Sequence, residues 1–140
     1  MRPTDQELFR MAVKASENAY VPFSNFHVGA ALLTKDGKIY TGCNIENAAY
    51  SPSVCAERTA VFKAVSEGNR EFSSIAVTGG PDGKIEGSFP PCGVCRQVLA
   101  EFCAPEMPVY LVESDAPLRF KTMTLGELLP ESFTPKNLGR

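Results

Sequence analysis

Residues 55–61 read CAERTAV and residues 91–98 read PCGVCRQV, and each segment opens a predicted helix. A Cys-x-x-Cys at the start of a helix places both sulfurs on one side of the first turn, where they can reach a single ion. Helix N-termini carry unpaired amides and a positive partial charge, which favours the thiolate over the thiol. The two segments therefore predict one metal site made of Cys55, Cys92 and Cys95.

Three protein ligands are typical of a catalytic zinc ion, because the fourth coordination position stays open for water. Zinc lowers the pKa of that water towards neutrality. Glu57 lies two residues from Cys55, and a carboxylate there can move protons as a general base and acid without being a ligand. Three thiolates overneutralise a divalent ion, and we expect Arg58 to offset this by donating hydrogen bonds to the cysteine sulfurs.

A structural zinc site is the alternative interpretation of the Cys-x-x-Cys, and it requires a fourth ligand. The candidates are Cys43, Cys103 and His27, which is the only histidine of the chain. His27 falls inside an apolar strand, and the two cysteines are interpreted as buried small hydrophobic residues. The combined spacing of Cys-x-Glu and Pro-Cys-x-x-Cys favours the catalytic site. With such a structural site the protein would be a protein-binding zinc module and not an enzyme.

The rest of the chain predicts strands alternating with helices. A capping box at Thr4–Glu7 begins the first helix, which we expect to continue through Ala19 and to be interrupted at Pro22. Residues 79–91 are rich in Gly and Pro and predict a loop. This alternation predicts an α/β sandwich around one mixed sheet, in a single domain of residues 1–140. The other predicted elements are strands at 26–34, 38–42, 74–78 and 109–112 and helices at 55–67, 93–102 and 124–129.

The charge balance argues against nucleic-acid binding. The chain carries 14 Lys+Arg and 16 Asp+Glu, a formal net charge of -2, and it has no run of like charges. Binding of a nucleic-acid strand requires a basic face on the protein. The polar N-terminus has no apolar signal segment, and no apolar stretch is long enough to span a membrane. We therefore expect a cytoplasmic protein with neither a membrane nor a nucleic-acid partner. Its five cysteines are expected to serve a metal rather than a disulfide framework.

Several motifs in a fixed order carry a resemblance to a known family. They are FHVGAAL at 26–32, GCNIENA at 42–48, CAERTA at 55–60, PCGVCRQV at 91–98 and ELLP at 127–130. On these motifs the chain resembles the small cytidine deaminases. The resemblance runs from about Phe9 to Phe133, which is nearly the whole chain.

The resemblance implies an architecture and a quaternary structure. The implied fold is a three-layer α-β-α sandwich with one five-stranded mixed sheet. The implied assembly is a homotetramer with one zinc ion per subunit. In such an assembly Tyr50 and Phe133 are expected to reach the site of a neighbouring subunit.

The resemblance also implies which residues hold a nucleoside. By similarity, Phe26 stacks on the pyrimidine ring and the Ala56 backbone helps to hold the base. Asn44 and Glu46 are expected to bind the sugar hydroxyl groups, mainly the one shared by ribose and deoxyribose. A sugar needs fixed donors and acceptors, and an asparagine together with a glutamate supplies both.

The reaction implied by the resemblance is hydrolysis of cytidine or deoxycytidine to uridine or deoxyuridine and ammonia, a step of pyrimidine salvage. A blasticidin-type aminonucleoside deaminase would use the same metal chemistry with a different sugar pocket, and Asn44 and Glu46 beside Phe26 favour the nucleoside. A deaminase that edits polynucleotides is disfavoured by the balanced charge, because strand binding requires Lys and Arg to neutralise phosphates.

Overall fold

Five strands form one sheet at the centre of the molecule. The computed structural model describes residues 3–140. The spatial order of the strands is β2-β1-β3-β4-β5. Strands β3 and β4 are parallel, and the other neighbouring pairs are antiparallel, so the sheet is mixed as predicted. The strands are β1 (Phe26–Thr34), β2 (Ile39–Cys43), β3 (Phe72–Pro81), β4 (Pro108–Asp115) and β5 (Leu118–Thr124).

Helices cover both faces of this sheet. They are α1 (Asp5–Ser16), α2 (Ala56–Ser66), α3 (Gly93–Phe102), α4 (Leu125–Leu128) and a 3-10 helix at Pro135–Leu138. The apolar side of α1 packs on one face through Leu8, Phe9 and Ala12, together with Ala31, Ala76 and Val112 of the strands. The opposite face packs on α2 and α3 through a larger core that includes Leu32, Ala60, Val61, Ile75, Leu99 and Leu111.

These two cores confirm the three-layer α-β-α sandwich. Among residues 3–140, none of the helices combines the length and the apolar character needed to cross a membrane.

The starts of the helices follow from local sequence. The Thr4 hydroxyl accepts from the Glu7 amide and the Glu7 carboxylate accepts from the Thr4 amide, each at 3.1 Å, which confirms the capping box. Cys55 and Cys92 are the N-cap residues of α2 and α3, and neither sulfur caps its own helix. Both sulfurs therefore remain available for a site between the two helices.

The structure differs most from the predicted elements at three places. Helix α1 ends at Ser16 rather than Ala19, because the amides of residues 17–19 turn back on carbonyls three positions earlier. Residues 79–81 belong to β3 rather than to the loop, since they pair with the beginning of β1. The edge strand β5 lies in a segment to which the sequence analysis assigned no strand, although apolar Leu118 and Phe120 alternate there with Arg119 and Lys121.

Candidate metal centre and active site

The three predicted cysteines form one cluster. The Sγ atoms of Cys55 and Cys92 are 3.7 Å apart, and those of Cys92 and Cys95 are 3.5 Å apart. Three sulfurs about 2.3 Å from a tetrahedral zinc ion would stand about 3.8 Å from one another. The spacing of the thiols therefore fits a zinc ion, and the fourth corner of the tetrahedron is left for a small ligand.

The cluster lies where two helices begin. Cys55 precedes the first turn of α2, Cys92 precedes the first turn of α3, and Cys95 is the third residue of α3 and is fully buried. The positive ends of both helix dipoles point at the sulfurs, which favours thiolates. A hydrogen bond from the Cys95 thiol and the nearby Arg58 lower the pKa of Cys55 below that of a free thiol, despite partial burial.

Arg58 lies against the cluster, as expected from the sequence. Its guanidinium donates to Cys55 Sγ at 3.3 Å. Its Nε is buried without a hydrogen-bond partner among the described residues, so the guanidinium retains donor capacity beside the thiols. A fixed positive charge at this position partly balances three negative ligands, because buried charges interact more strongly than exposed ones.

Glu57 is the buried acid of the site. Its side chain is only 4 % exposed. Burial raises the pKa of the carboxyl group to about 7, and the charge of Cys55 acts in the same direction. A carboxyl group that exchanges its proton near neutral pH is suited to act as both acid and base. The group lies in the first turn of α2, two residues after Cys55, the N-cap of the same helix.

A cleft of about 270 Å³ opens above the cluster. This volume is near the lower end of the roughly 300–1,000 Å³ found for small-molecule sites. The cleft brings together four predicted residues, Phe26, Asn44, Ala56 and Glu57, with the thiols of Cys55 and Cys92. Its walls are mostly apolar, and Asn44, Glu57 and the thiols supply its polar groups.

Phe89 and Pro90 also line this cleft, and the sequence reasoning did not identify them. The ring of Phe89 stands edge-on to the ring of Phe26, with centroids 4.6 Å apart and an interplanar angle of 87°. Both residues lie in the predicted loop before α3, where composition alone indicates only a turn. The apolar Phe-Pro-Pro run at 89–91 just before Cys92 was the available signal.

Three predicted contact residues lie outside this cleft. Glu46 is turned towards the segment before β1, where its carboxylate accepts hydrogen bonds from the Phe23 and Ser24 amides. Tyr50 and Phe133 are 72 % and 59 % exposed. Within a single subunit they therefore do not enclose the cleft.

The proposed fourth ligands of a structural zinc site lie elsewhere. Within residues 3–140, Cys55, Cys92 and Cys95 are the one group of at least three metal-ligating side chains that are close enough to share an ion. His27 contacts Asn25 Oδ1 at 3.3 Å instead, and burial raises the pKa of Cys103 to about 12. A second cleft of about 320 Å³ is lined by residues 35–36 and 68–71, but it contains neither thiols nor the buried acid.

The fold and the site define a class of protein. An α-β-α sandwich with three thiols at two helix N-termini and one buried, non-ligating glutamate is the arrangement of zinc-dependent deaminases. Residues 2–111 match the family model described as the cytidine and deoxycytidylate deaminase zinc-binding region. The chain belongs to the cytidine deaminase family.

Individual relatives agree with this assignment. The chain is 51% identical over 133 residues to a cytidine deaminase of Sporosarcina psychrophila, which covers 95% of this chain and 93% of the relative. Its fold is similar to that in the crystal structure of cytidine deaminase from Burkholderia pseudomallei, with a TM-score of 0.84 and 45% sequence identity. The match covers 94% of this chain and 100% of the other. For the cytidine deaminase of Mycobacterium tuberculosis the TM-score is 0.77, with 37% identity and coverage of 94% and 98%.

Proposed function

We propose that this enzyme hydrolyses cytidine and deoxycytidine to uridine and deoxyuridine with release of ammonia, a reaction of pyrimidine salvage. The observation that carries the proposal is the buried acid Glu57 beside the Cys55, Cys92 and Cys95 cluster at the end of an apolar cleft. One zinc ion per subunit would be held by these three cysteines. The bound ion would lower the pKa of a water molecule and so supply the nucleophile at neutral pH.

Glu57 performs the proton transfers in the proposed mechanism. Its carboxyl group donates a proton to the ring nitrogen beside the amine-bearing carbon, which makes that carbon electrophilic. It then takes up in turn the two protons that the attacking water loses, passing one to the amine, which leaves as ammonia, and keeping the other, which restores the carboxyl group. Because Glu57 is almost completely buried, bulk water does not compete for these protons.

The walls of the cleft orient the base. Phe26 offers a flat apolar surface for the pyrimidine ring, and its edge-on contact with Phe89 limits the freedom of that ring. The Ala56 backbone lies at the first turn of α2, beside Glu57, and can contact the base there. Asn44 lines the same cleft, and we place it, together with Glu46, at the sugar.

We further propose a homotetramer in which neighbouring subunits complete each site. The exposed rings of Tyr50 and Phe133 are the surfaces that the neighbours would use. The small volume of the cleft in one subunit supports this arrangement, since a nucleoside requires more enclosure than one chain provides. A reducing cytoplasm, which the sequence predicts, would keep the three thiols available for the metal.

To test the proposed function, the protein is mixed with cytidine and the loss of ultraviolet absorbance is followed with and without a chelator. The metal content of the same protein is measured in parallel. We expect turnover of cytidine and deoxycytidine by protein containing about one zinc per chain, and loss of turnover after chelation. Faster turnover of a blasticidin-type antibiotic or of single-stranded DNA than of cytidine would overturn the proposed substrate.

A further inference from the structure

The carboxylate of Glu46 is engaged at the start of β1. Its Oε1 accepts from the Phe23 amide at 3.0 Å and from the Ser24 amide at 3.1 Å. Its Oε2 accepts from the Ser24 hydroxyl. The hydrogen bond from this hydroxyl is the largest cause of a lowered pKa of Glu46, so the acceptor is ionised at neutral pH.

The Ser24 hydroxyl also reaches the backbone of the residue that lines the cleft. Its Oγ accepts from the Phe26 amide at 3.1 Å while its proton goes to Glu46. The Asn44 side chain holds the other side of Phe26, since its Nδ2 donates to the Phe26 carbonyl at 2.8 Å and its Oδ1 accepts from the Val28 amide at 2.9 Å. The backbone of Phe26 is therefore held by two side chains. One is Asn44, which the resemblance placed at the sugar, and the other is Ser24, to which the sequence analysis assigned no role.

The acceptor capacity of Glu46 limits where a sugar hydroxyl can bind. Each carboxylate oxygen offers two lone pairs. Oε1 already has two amide donors, whereas Oε2 has only the Ser24 hydroxyl. A sugar hydroxyl would therefore be accepted at Oε2, on the same atom that Ser24 orients.

We propose that Ser24 is a positioning residue that couples sugar binding at Glu46 to base binding at Phe26. This inference rests on the proposed function and adds to it a residue without an assigned role. Loss of the hydroxyl leaves Oε2 of Glu46 without its donor, while Oε1 stays on its two amides, and it also releases the Phe26 amide. Discrimination in favour of a substrate that carries a 3′-hydroxyl then weakens, because Oε2 is no longer held in place for it.

A purely structural role for Ser24 makes a different prediction. If Ser24 only stabilised the turn before β1, its removal would lower the melting temperature and would affect all substrates equally. A coupling role affects substrates according to whether they carry the hydroxyl. The ratio of two substrates therefore separates the two roles.

The experiment compares cytidine with 2′,3′-dideoxycytidine, using kcat and KM for the first and the competitive inhibition constant for the second. In Ser24→Ala we expect kcat/KM for cytidine to fall roughly tenfold, mainly through KM, as for loss of a hydrogen bond to a charged group. The inhibition constant of dideoxycytidine should rise less than threefold, because this ligand senses only the released Phe26 amide and Asn44 still holds the Phe26 carbonyl. Ser24→Thr, which keeps the hydroxyl, should restore most of the loss.

The matched control is Ser66→Ala, which removes a hydroxyl that bonds only to Lys63 at the far end of α2. It should leave both measurements unchanged. Adding Ser24→Ala to Glu46→Gln should change the discrimination no further than Glu46→Gln alone, since coupled residues are not additive. Equal losses for both ligands, an unaffected Ser24→Ala enzyme or additive effects would overturn the coupling. Absence of cytidine turnover by the unmodified enzyme would instead refute the proposed function.

Discussion

Glu57 owes its chemistry to its position. The carboxyl group is enclosed by the first turn of α2 and by the thiol cluster, and its burial keeps the proton within the site. We expect Glu57→Gln to bind zinc as the unmodified protein does, because Glu57 is not among the described side chains that lie close enough to share an ion. Turnover should fall by about 10²- to 10⁴-fold, since an amide of the same shape cannot transfer the proton. Metal analysis and cytidine turnover measure the two effects.

A control for this substitution is Glu101→Gln on the exposed side of α3. It makes the same chemical change far from the thiols and should leave zinc content and turnover unaltered. A Glu57→Gln enzyme with undiminished turnover would remove this residue from the mechanism. Loss of zinc from that variant would instead make Glu57 a ligand.

Arg58 is a second residue beside the thiols, and its side chain is expected to affect zinc binding. Its guanidinium contacts Cys55 Sγ at 3.3 Å, and groups that bond to metal ligands typically contribute 10- to 100-fold to affinity or activity. We therefore expect Arg58→Ala to release zinc to a competing chelator about 10-fold or more faster and to turn over more slowly. Arg70→Ala, at the distant cleft, is the matched loss of a guanidinium. Unchanged zinc release together with unchanged turnover would show that the contact has no such role.

At the scale of whole elements, two glycines let helices approach the sheet closely. A Cβ added at Gly42 of β2 would lie 2.6 Å from the Ala60 amide nitrogen and 2.9 Å from Thr59 Cβ, in the first turns of α2. Gly42→Ala must therefore push α2 away from the sheet. We expect a loss of about 1–3 kcal/mol in the free energy of unfolding, with faster zinc release because α2 carries Cys55.

Gly29→Ala is the comparison for this prediction. A Cβ there would lie 2.5 Å from the Ser16 amide nitrogen, so it displaces α1 on the opposite face, which carries no ligand. Denaturation and chelator competition should show similar losses of stability in the two variants. Only Gly42→Ala should release zinc faster, and equal rates of release would contradict the view that the β2–α2 contact positions the centre.

Elements with strong local signals were predictable from the sequence, and those defined by tertiary contacts were not. The capping box and the Cys-x-x-Cys fixed the starts of α1 and α3 within a residue. Strand β5 is an exception, because apolar Leu118 and Phe120 alternate with Arg119 and Lys121, so a short strand signal was present and was missed. Gly79 and Gly80 indicate a turn by composition, yet pairing with β1 makes them strand.

The same division applies to the site. The grouping of Cys55, Cys92 and Cys95 was predictable from residue type and spacing, because Cys55 and Cys92 each begin a helix. Their role as zinc ligands and the role of Glu57 stay predictions. The role of Phe89 could not be deduced, since its contact with Phe26 depends on how a loop folds back on the sheet. The resemblance indicated Glu46, but its bond to Ser24 needed the three-dimensional structure.

At the scale of the whole molecule, the exposed aromatic side chains require an explanation. Phe133 is 59 % exposed, although its backbone carbonyl is held by Gln97 Nε2 at 2.7 Å. Tyr50 is 72 % exposed and has its ring 6.0 Å from that of Phe23. Rings presented on ordered backbone favour burial against another copy of the chain. Sedimentation is expected to give about four times the 15.2 kDa chain mass.

If each site combines Glu57 of one subunit with Phe133 of its neighbour, two inactive variants should restore activity when they are mixed. Glu57→Gln subunits lack the acid, and Phe133→Ala subunits lack the ring offered to a neighbour. When both are co-expressed in equal amounts, half of the sites keep Glu57 and half of these face an intact Phe133, so roughly a quarter should be unmodified. We expect turnover of cytidine in the mixed oligomers to exceed the mean of the two homogeneous variants. Turnover equal to that mean would confine Phe133 to its own subunit and refute the shared site.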